Sequence, residues 1–258
     1  MVRFVTFLKK YWITILIYIG IILGYKYIAD TKAFNSFLFP PTSEIGAAFL
    51  KDWKTLLMNM LYSFQLMIPS IVIAVAFALF LGTLMGMHKK FREVIHPVIY
   101  SISVIPAILM SPFALLLAPN FRAASLFLVV YNTIWATLFA TINGIMTIDR
   151  RYLDNAATLE LTGFKRMRKV ILPAAMPSIL SGFITSLRGS FLVLVYAEMY
   201  GAEYGMGFYV KKYTEYGLYA EAWCGYSWSS CSSLSCSFLK RPKTVCSDGR
   251  FTKPALGG

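Results

Sequence analysis

Apolar residues run through this chain in long, nearly unbroken stretches that short polar segments divide. A helix that crosses the hydrocarbon core of a bilayer needs about 20 mostly apolar residues. Five stretches reach that length: 11–29, 61–87, 94–118, 123–148 and 178–199. The pattern predicts an all-α, polytopic transmembrane bundle. Composition agrees, since 57% of residues are hydrophobic and only 14% charged, where a soluble domain carries about a quarter charged residues. A chain of this kind cannot cover its surface with polar groups, so lipid is the solvent for much of it. The first stretch is too long for a signal-peptide core and has no clean small-residue cleavage site, so it reads as a first span or signal anchor.

Charge then gives direction. Basic residues gather on every second connection: Arg3, Lys9 and Lys10; Lys89, Lys90 and Arg92; and Arg150, Arg151, Lys165, Arg166, Arg168 and Lys169. The connections between these carry mixed signs, as with Glu203, Lys211, Lys212, Glu215 and Glu221, or a single Arg122. By the positive-inside rule the basic sides are cytoplasmic, which places the N-terminus and the loop 149–177 inside. The net charge of +13 is thereby a topology signal. No basic recognition helix or base-stacking platform suggests nucleic acid.

The segment 223–239 breaks the pattern. It reads WCGYSWSSCSSLSCSFL, and every residue in it except Gly225 has a codon beginning with T. Codons of Val, Ile, Leu, Met and Phe all carry T in the middle, so an apolar run read one nucleotide late gives such a string. The expectation is a frame-shifted tail, 223–258, that hides a sixth span, with the shift near Ala222–Cys224. The permease-like region would then be 1–222. Cys224, Cys231, Cys236 and Cys246 match no common zinc spacing. In a shifted frame they carry no functional meaning, nor do Arg241, Lys243, Arg250 and Lys253.

The cytoplasmic loop reads YLDNAATLELTGFKRMRKVILPAAMP over 152–177. A helix over 153–161 is expected, with Asp154 in its acidic first turn and Gly163 as break or C-cap. A basic amphipathic stretch over 164–172 follows, and Pro173 and Pro177 mark a turn into the fifth span. The product is a short helix–turn–helix along the membrane face, with Ala156 and Ala157 small enough for a partner surface to approach. Read on these residues alone, the loop is equally an interfacial segment holding lipid headgroups.

This loop resembles the signature loop of permeases in binding-protein-dependent ABC importers, whose pattern is Glu-Ala-Ala, a later Gly, then Ile-x-Leu-Pro. The matching residues here are Asn155, Ala156, Ala157, Gly163, Ile171, Leu172 and Pro173, with Ile and Leu adjacent. Asn155 replaces the Glu and removes any ionic contact it would make. Further likeness to the sulfonate, taurine, nitrate and thiamine-precursor branch runs from Phe39 to Trp223. It includes Phe39-Pro40-Pro41-Thr42 with Glu44-Ile45, Pro106 with Pro112, and Ala197-Glu198-Met199 followed by Gly205-Met206-Gly207. The resemblance implies the type I importer permease fold in a bacterial inner membrane. It implies a coupling helix that docks on an ATPase subunit through Ala156, Ala157 and Gly163. It also implies a second permease copy, an extracytoplasmic solute-binding protein, and a small organic or oxyanion solute such as a sulfonate, nitrate or pyrimidine.

Polar residues inside spans are the other candidates. Arg188 lies midway along the fifth span and Glu198 near its outer end; pathway lining and an internal Arg–Glu or Arg–carbonyl pairing are both open for them. Pro69, Pro106 and Pro112 would kink spans two and three and open cavities. Gln65, Asn132 and Asn143 are candidates to face the interior. Gly20/Gly24 and Gly82/Gly86 permit close helix packing, and His88 and His96 read as solvated surface. No G-x-x-x-x-G-K-[ST] loop is present, so ATP would be held by a partner, and no catalytic constellation marks the chain as an enzyme. An ion-coupled secondary transporter would want several intramembrane acids and internal repeats. A membrane-bound enzyme would want a catalytic cluster at one interface. Neither pattern is visible.

Overall fold

The computed structural model describes residues 2–31 and 38–238. Among the described residues there are helices and no strands. The helices are α1 (Val2–Asp30), α2 (Thr42–Met87), α3 (Lys89–Ser103), α4 (Ser111–Leu117), α5 (Phe121–Met146), α6 (Arg150–Thr158), α7 (Gly163–Gly201), α8 (Met206–Glu215) and α9 (Tyr219–Phe238). α2, α5 and α7 are each long and apolar enough to cross a membrane. The predicted stretches 61–87 and 178–199 lie in α2 and α7, 123–148 runs two residues past α5, 94–118 falls on the bent pair of α3 with Ala107–Leu117, and 11–29 lies in α1.

α5 is the centre. About half of its most apolar stretch is buried, against 22% for α2 and 28% for α7, because both neighbours pack on it. Small residues make the approach possible, as expected for helices that gain no hydrophobic drive in lipid. Gly82 and Gly86 of α2 lie against Thr141 and Ile145 of α5. On the other side, Gly182 of α7 is so close that an added Cβ would sit 2.2 Å from the Ala140 Cβ and 2.6 Å from the Ala136 carbonyl oxygen. Hydroxyls stitch the same seam: Thr133 pairs with Ser190, Thr137 with Ser186 at 3.1 Å, and the half-buried Ser178 donates to the Ala140 carbonyl at 2.9 Å. Gly20 and Gly24 of α1, by contrast, meet nothing within 4 Å.

Three expectations change. α2 extends well before 61 and runs for 46 residues, about 69 Å at 1.5 Å per residue, more than twice a hydrocarbon core. Its polar first half packs against α8 and α9. The third span is not a kinked helix but a break: α3 and the segment Ala107–Leu117 meet at 75°. Pro106 removes a backbone donor and turns the preceding residue out of helix. The carbonyls of Ile102 and Ile105 are then satisfied by the Tyr131 hydroxyl of α5, at 2.6 and 3.1 Å. Pro112 opens α4 rather than kinking it. Finally, Pro173 and Pro177 do not mark a turn. α7 is continuous for 39 residues, and a π turn at Met167–Ile171 lets the chain reach Pro173, which has no N–H to give, without ending the helix.

The run from Trp223 is helical through Phe238 as part of α9. Cys246, Arg241, Lys243, Arg250 and Lys253 lie outside the described residues, while Cys224 is a buried free thiol.

Candidate coupling surface and polar residues within the spans

α6 starts one turn earlier than predicted. Asp149 is its N-cap, accepting from the Arg151 N–H at 3.0 Å, and Asp154 falls beyond the first turn. Asp154 sits exposed inside the helix. The C-terminus also differs, because Gly163 does not close it. Glu160 takes the left-handed position, at φ 53°. The Leu161 N–H bonds the Ala156 carbonyl at 2.9 Å and the Glu160 N–H bonds that of Ala157 at 3.0 Å, the paired bonds of a Schellman ending. Gly163, at φ 54°, instead opens α7, and its surroundings are empty out to 4 Å.

Ala156 is 1% exposed. It faces inward, so it cannot itself touch a partner surface, and α6 rests on the π turn Met167–Ile171, whose Ile171 is buried. Asn155, Ala157 and Gly163 remain open. Sequence reasoning missed three apolar side chains beside them: Tyr152, Leu159 and Phe164 are 56%, 70% and 69% exposed, on a segment otherwise rich in charge. Tyr152, Asn155 and Leu159 are spaced to share one face of the helix and of its ending. Leu172 and Pro173 follow at the start of the regular part of α7. Leu172 joins Phe80, Leu84, Gly163, Phe164 and Met167 around an apolar groove of about 460 Å³.

Arg188 and Glu198 do not pair. Ten residues separate them on one helix, about 15 Å along the axis, and they face different ways. Glu198 is 3% exposed and turned toward α8. Its carboxylate accepts the Gly207 N–H at 2.9 Å. Asn59 of α2 accepts the Gly205 N–H at 2.8 Å and Ser63 accepts the Met206 N–H at 3.0 Å. Three side chains from two membrane helices thus satisfy the orphan donors at the start of α8. Both glycines are required there: a Cβ on Gly205 (φ 122°) would lie 2.4 Å from the Glu198 carboxyl carbon, and one on Gly207 would lie 2.0 Å from the Val195 carbonyl oxygen. This explains the Ala197-Glu198-Met199 and Gly205-Met206-Gly207 pair that the sequence shows only as a pattern. A second brace lies on the first half of α2, where Tyr213 and Tyr209 donate to Asp52 at 3.1 and 3.4 Å. Burial, then the bond to Asp52, push the Tyr213 hydroxyl up to about 12.

Arg188 is exposed on the free face of α7, in line with Ser181 and Thr185, and bonds nothing among the described residues. A bare arginine at the centre of a span costs about 2.5–3.5 kcal/mol on insertion scales. Of the other polar candidates, Gln65 and Asn143 are exposed. Asn132 is half-buried, with its amide nitrogen 2.7 Å from where a Gly189 Cβ would be. Pro106 and Pro112 lie at the α3–α4 break and line no described cavity with Arg188. His96 is half-buried, its ring beside those of Tyr100 and Phe139, at 6.2 and 5.8 Å. No cluster of His, Cys, Asp or Glu suited to a metal ion occurs among the described residues.

The profile of one family, described as the inner membrane component of binding-protein-dependent transport systems, matches residues 74–239, well over half the chain. An aliphatic sulfonates transport permease, SsuC of Bacillus subtilis, is 30% identical over 132 residues, 51% of this chain and 48% of that one. The bicarbonate transport system permease CmpB of Synechococcus elongatus is 27% identical over 139 residues, 54% of this chain and 50% of its own. The nitrate import permease NrtB of Leptolyngbya laminosa is 28% identical over 130 residues, 50% of this chain and 47% of its own. The alignments thus span about half the length of these relatives.

Proposed function

The chain belongs to the family of inner membrane components of binding-protein-dependent transport systems, a family of transport subunits rather than enzymes, and from that premise we propose that it is the permease subunit of an ATP-driven importer. Two copies form the pathway. A cytoplasmic ATPase pair docks on α6, and an extracytoplasmic binding protein delivers the solute. The N-terminus and the loop 149–177 lie on the cytoplasmic side. The relatives carry sulfonates, bicarbonate and nitrate by name, so the solute here is a small oxyanion.

The observation that carries this reading is mechanical. α6 exposes Tyr152, Asn155 and Leu159 while Ala156 seats it on Met167–Ile171, and that turn continues as unbroken helix to Gly201. A push on α6 therefore moves α7. The direct contact falls to Asn155, Ala157, Leu159 and Gly163, with Ala156, Ile171, Leu172 and Pro173 fixing the lever and Asp154 open to solvent.

The test is co-purification from solubilised membranes of the source cells. An ATPase subunit is expected with the wild-type chain, and Leu159→Arg, Ala157→Trp or Gly163→Arg should release it or abolish solute-stimulated ATP hydrolysis. An unmutated chain that brings down no ATPase would instead favour an ion-coupled secondary transporter.

A further inference from the structure

We infer that Arg188, with Asn132 and Thr185 beside it, is a water-filled anion-contact site at the middle of the membrane, which a second copy of the chain completes. The inference rests on the permease reading and adds to it the place where the solute's charge is met.

α7 from Leu172 has 30 residues, and Arg188 lies within a turn of their midpoint. Either membrane surface is then about 15 Å away, half the hydrocarbon thickness, too far for the side chain to reach headgroups. Its face is the one that α5 does not cover. Gly182, Ser186 and Ser190 turn into the seam with α5 and are buried, while Ser181, Thr185 and Arg188 follow one another along the open side. Thr185 donates to the Ser181 carbonyl at 3.0 Å, which keeps its oxygen free to accept from water on the open side. Asn132 reaches over Gly189 from α5 and brings an amide donor to the same level. Neither the guanidinium nor that amide has a hydrogen-bond partner among the described residues. Glu198, the buried acid of the same helix, is committed to Gly207.

Five guanidinium donors without an acceptor at this depth require water or an anion. If two copies bring these faces together, two like charges meet across the pathway, and an anion between them removes the repulsion. Lipid contact fails on solvation and dry protein contact fails on charge. A small oxyanion satisfies both, since its planar or tetrahedral oxygens suit the fork of arginine.

The experiment is thiol accessibility in proteoliposomes holding the full chain with its ATPase. Cys224, Cys231, Cys236 and Cys246 are first replaced by Ser. Thr185→Cys, and Ser181→Cys as a second probe, are then reacted with methanethiosulfonate reagents that are anionic or cationic. The expected result is that the anionic reagent reacts about tenfold faster than the cationic one, from one unit charge some 6 Å away in a wet site. That preference should vanish with Arg188→Gln and persist with Arg188→Lys. No reaction at either position in any nucleotide state would overturn the proposal. So would reaction without charge preference, or a preference that survives Arg188→Gln. These results differ from failure of the permease reading, which would show as absence of a co-purifying ATPase whatever the thiols do.

Discussion

Replacing Glu198 with Ala should loosen the start of α8 without unfolding the bundle. The carboxylate accepts the Gly207 N–H at 2.9 Å and lies against the Ser63 hydroxyl and the Met206 N–H, and the Gly207 amide is buried. Removing the acceptor leaves a desolvated donor, which costs about 1–3 kcal/mol. The neighbouring bonds from Asn59 and Ser63 hold the same turn, so the loss should appear as local opening rather than global unfolding. Hydrogen exchange of the chain in lipid nanodiscs reads this directly. Amides of the peptide covering 205–209 should exchange about 5- to 150-fold faster in Glu198→Ala, the range that 1–3 kcal/mol converts to. Glu198→Gln, which keeps an acceptor oxygen in place, should stay close to the unmutated chain, and Glu203→Ala, exposed a turn away, should change nothing. If Glu198→Ala leaves exchange at 205–209 within twofold of the unmutated chain, the carboxylate does not clamp α8, and the glycines at 205 and 207 need another explanation.

Two further outcomes follow from the geometry and one from the sequence. Gly182→Ala should destabilise the chain by about 1–3 kcal/mol, because the new methyl meets the Ala136 carbonyl and Ala140, whereas Gly20→Ala, with nothing within 4 Å, should not; thermal unfolding of the two variants in nanodiscs would refute this if their order were reversed. Tyr213 holds its proton more tightly folded than its ordinary 10, so its contribution is intact below pH 10 and is lost as pH climbs toward about 12; phenolate absorbance should lose a step near 12 in Tyr213→Phe, and Asp52→Asn should lower that step only in part, burial being the larger cause. We propose that the reading frame changes near Ala222–Cys224, so that sequencing the source DNA finds one nucleotide gained or lost there and an apolar run in the neighbouring frame; an intact frame through Trp223 would refute it.

How far the sequence could be read depends on which solvent each residue answers to. Lipid imposes runs of about 20 apolar residues, so the helices of the bundle were legible, and Arg188 stood out because hydrocarbon penalises it. The first half of α2 was not legible. It carries Lys51, Asp52 and Lys54, and its partners come from far along the chain: Leu56 packs with Met206, Tyr209, Val210 and Cys224, and Asp52 accepts two tyrosines from 157 and 161 residues away. The inward turn of Ala156 was hidden for another reason: a nine-residue helix gives too few repeats for a period to show which side is buried. Proline was misleading in both directions. At Pro106 the chain breaks because Tyr131 takes up the freed carbonyls, and at Pro173 it does not break because a π turn precedes it. The rule that proline ends helices states a local cost, and the tertiary partner decides whether that cost is met by bending or by rewinding. The same reasoning separates the two charged residues of α7. Glu198 has its donor within the protomer and holds α8 in place. Arg188 has none among the described residues, and on the proposal above it is a charge left unanswered by the protomer that a second copy and an anion complete.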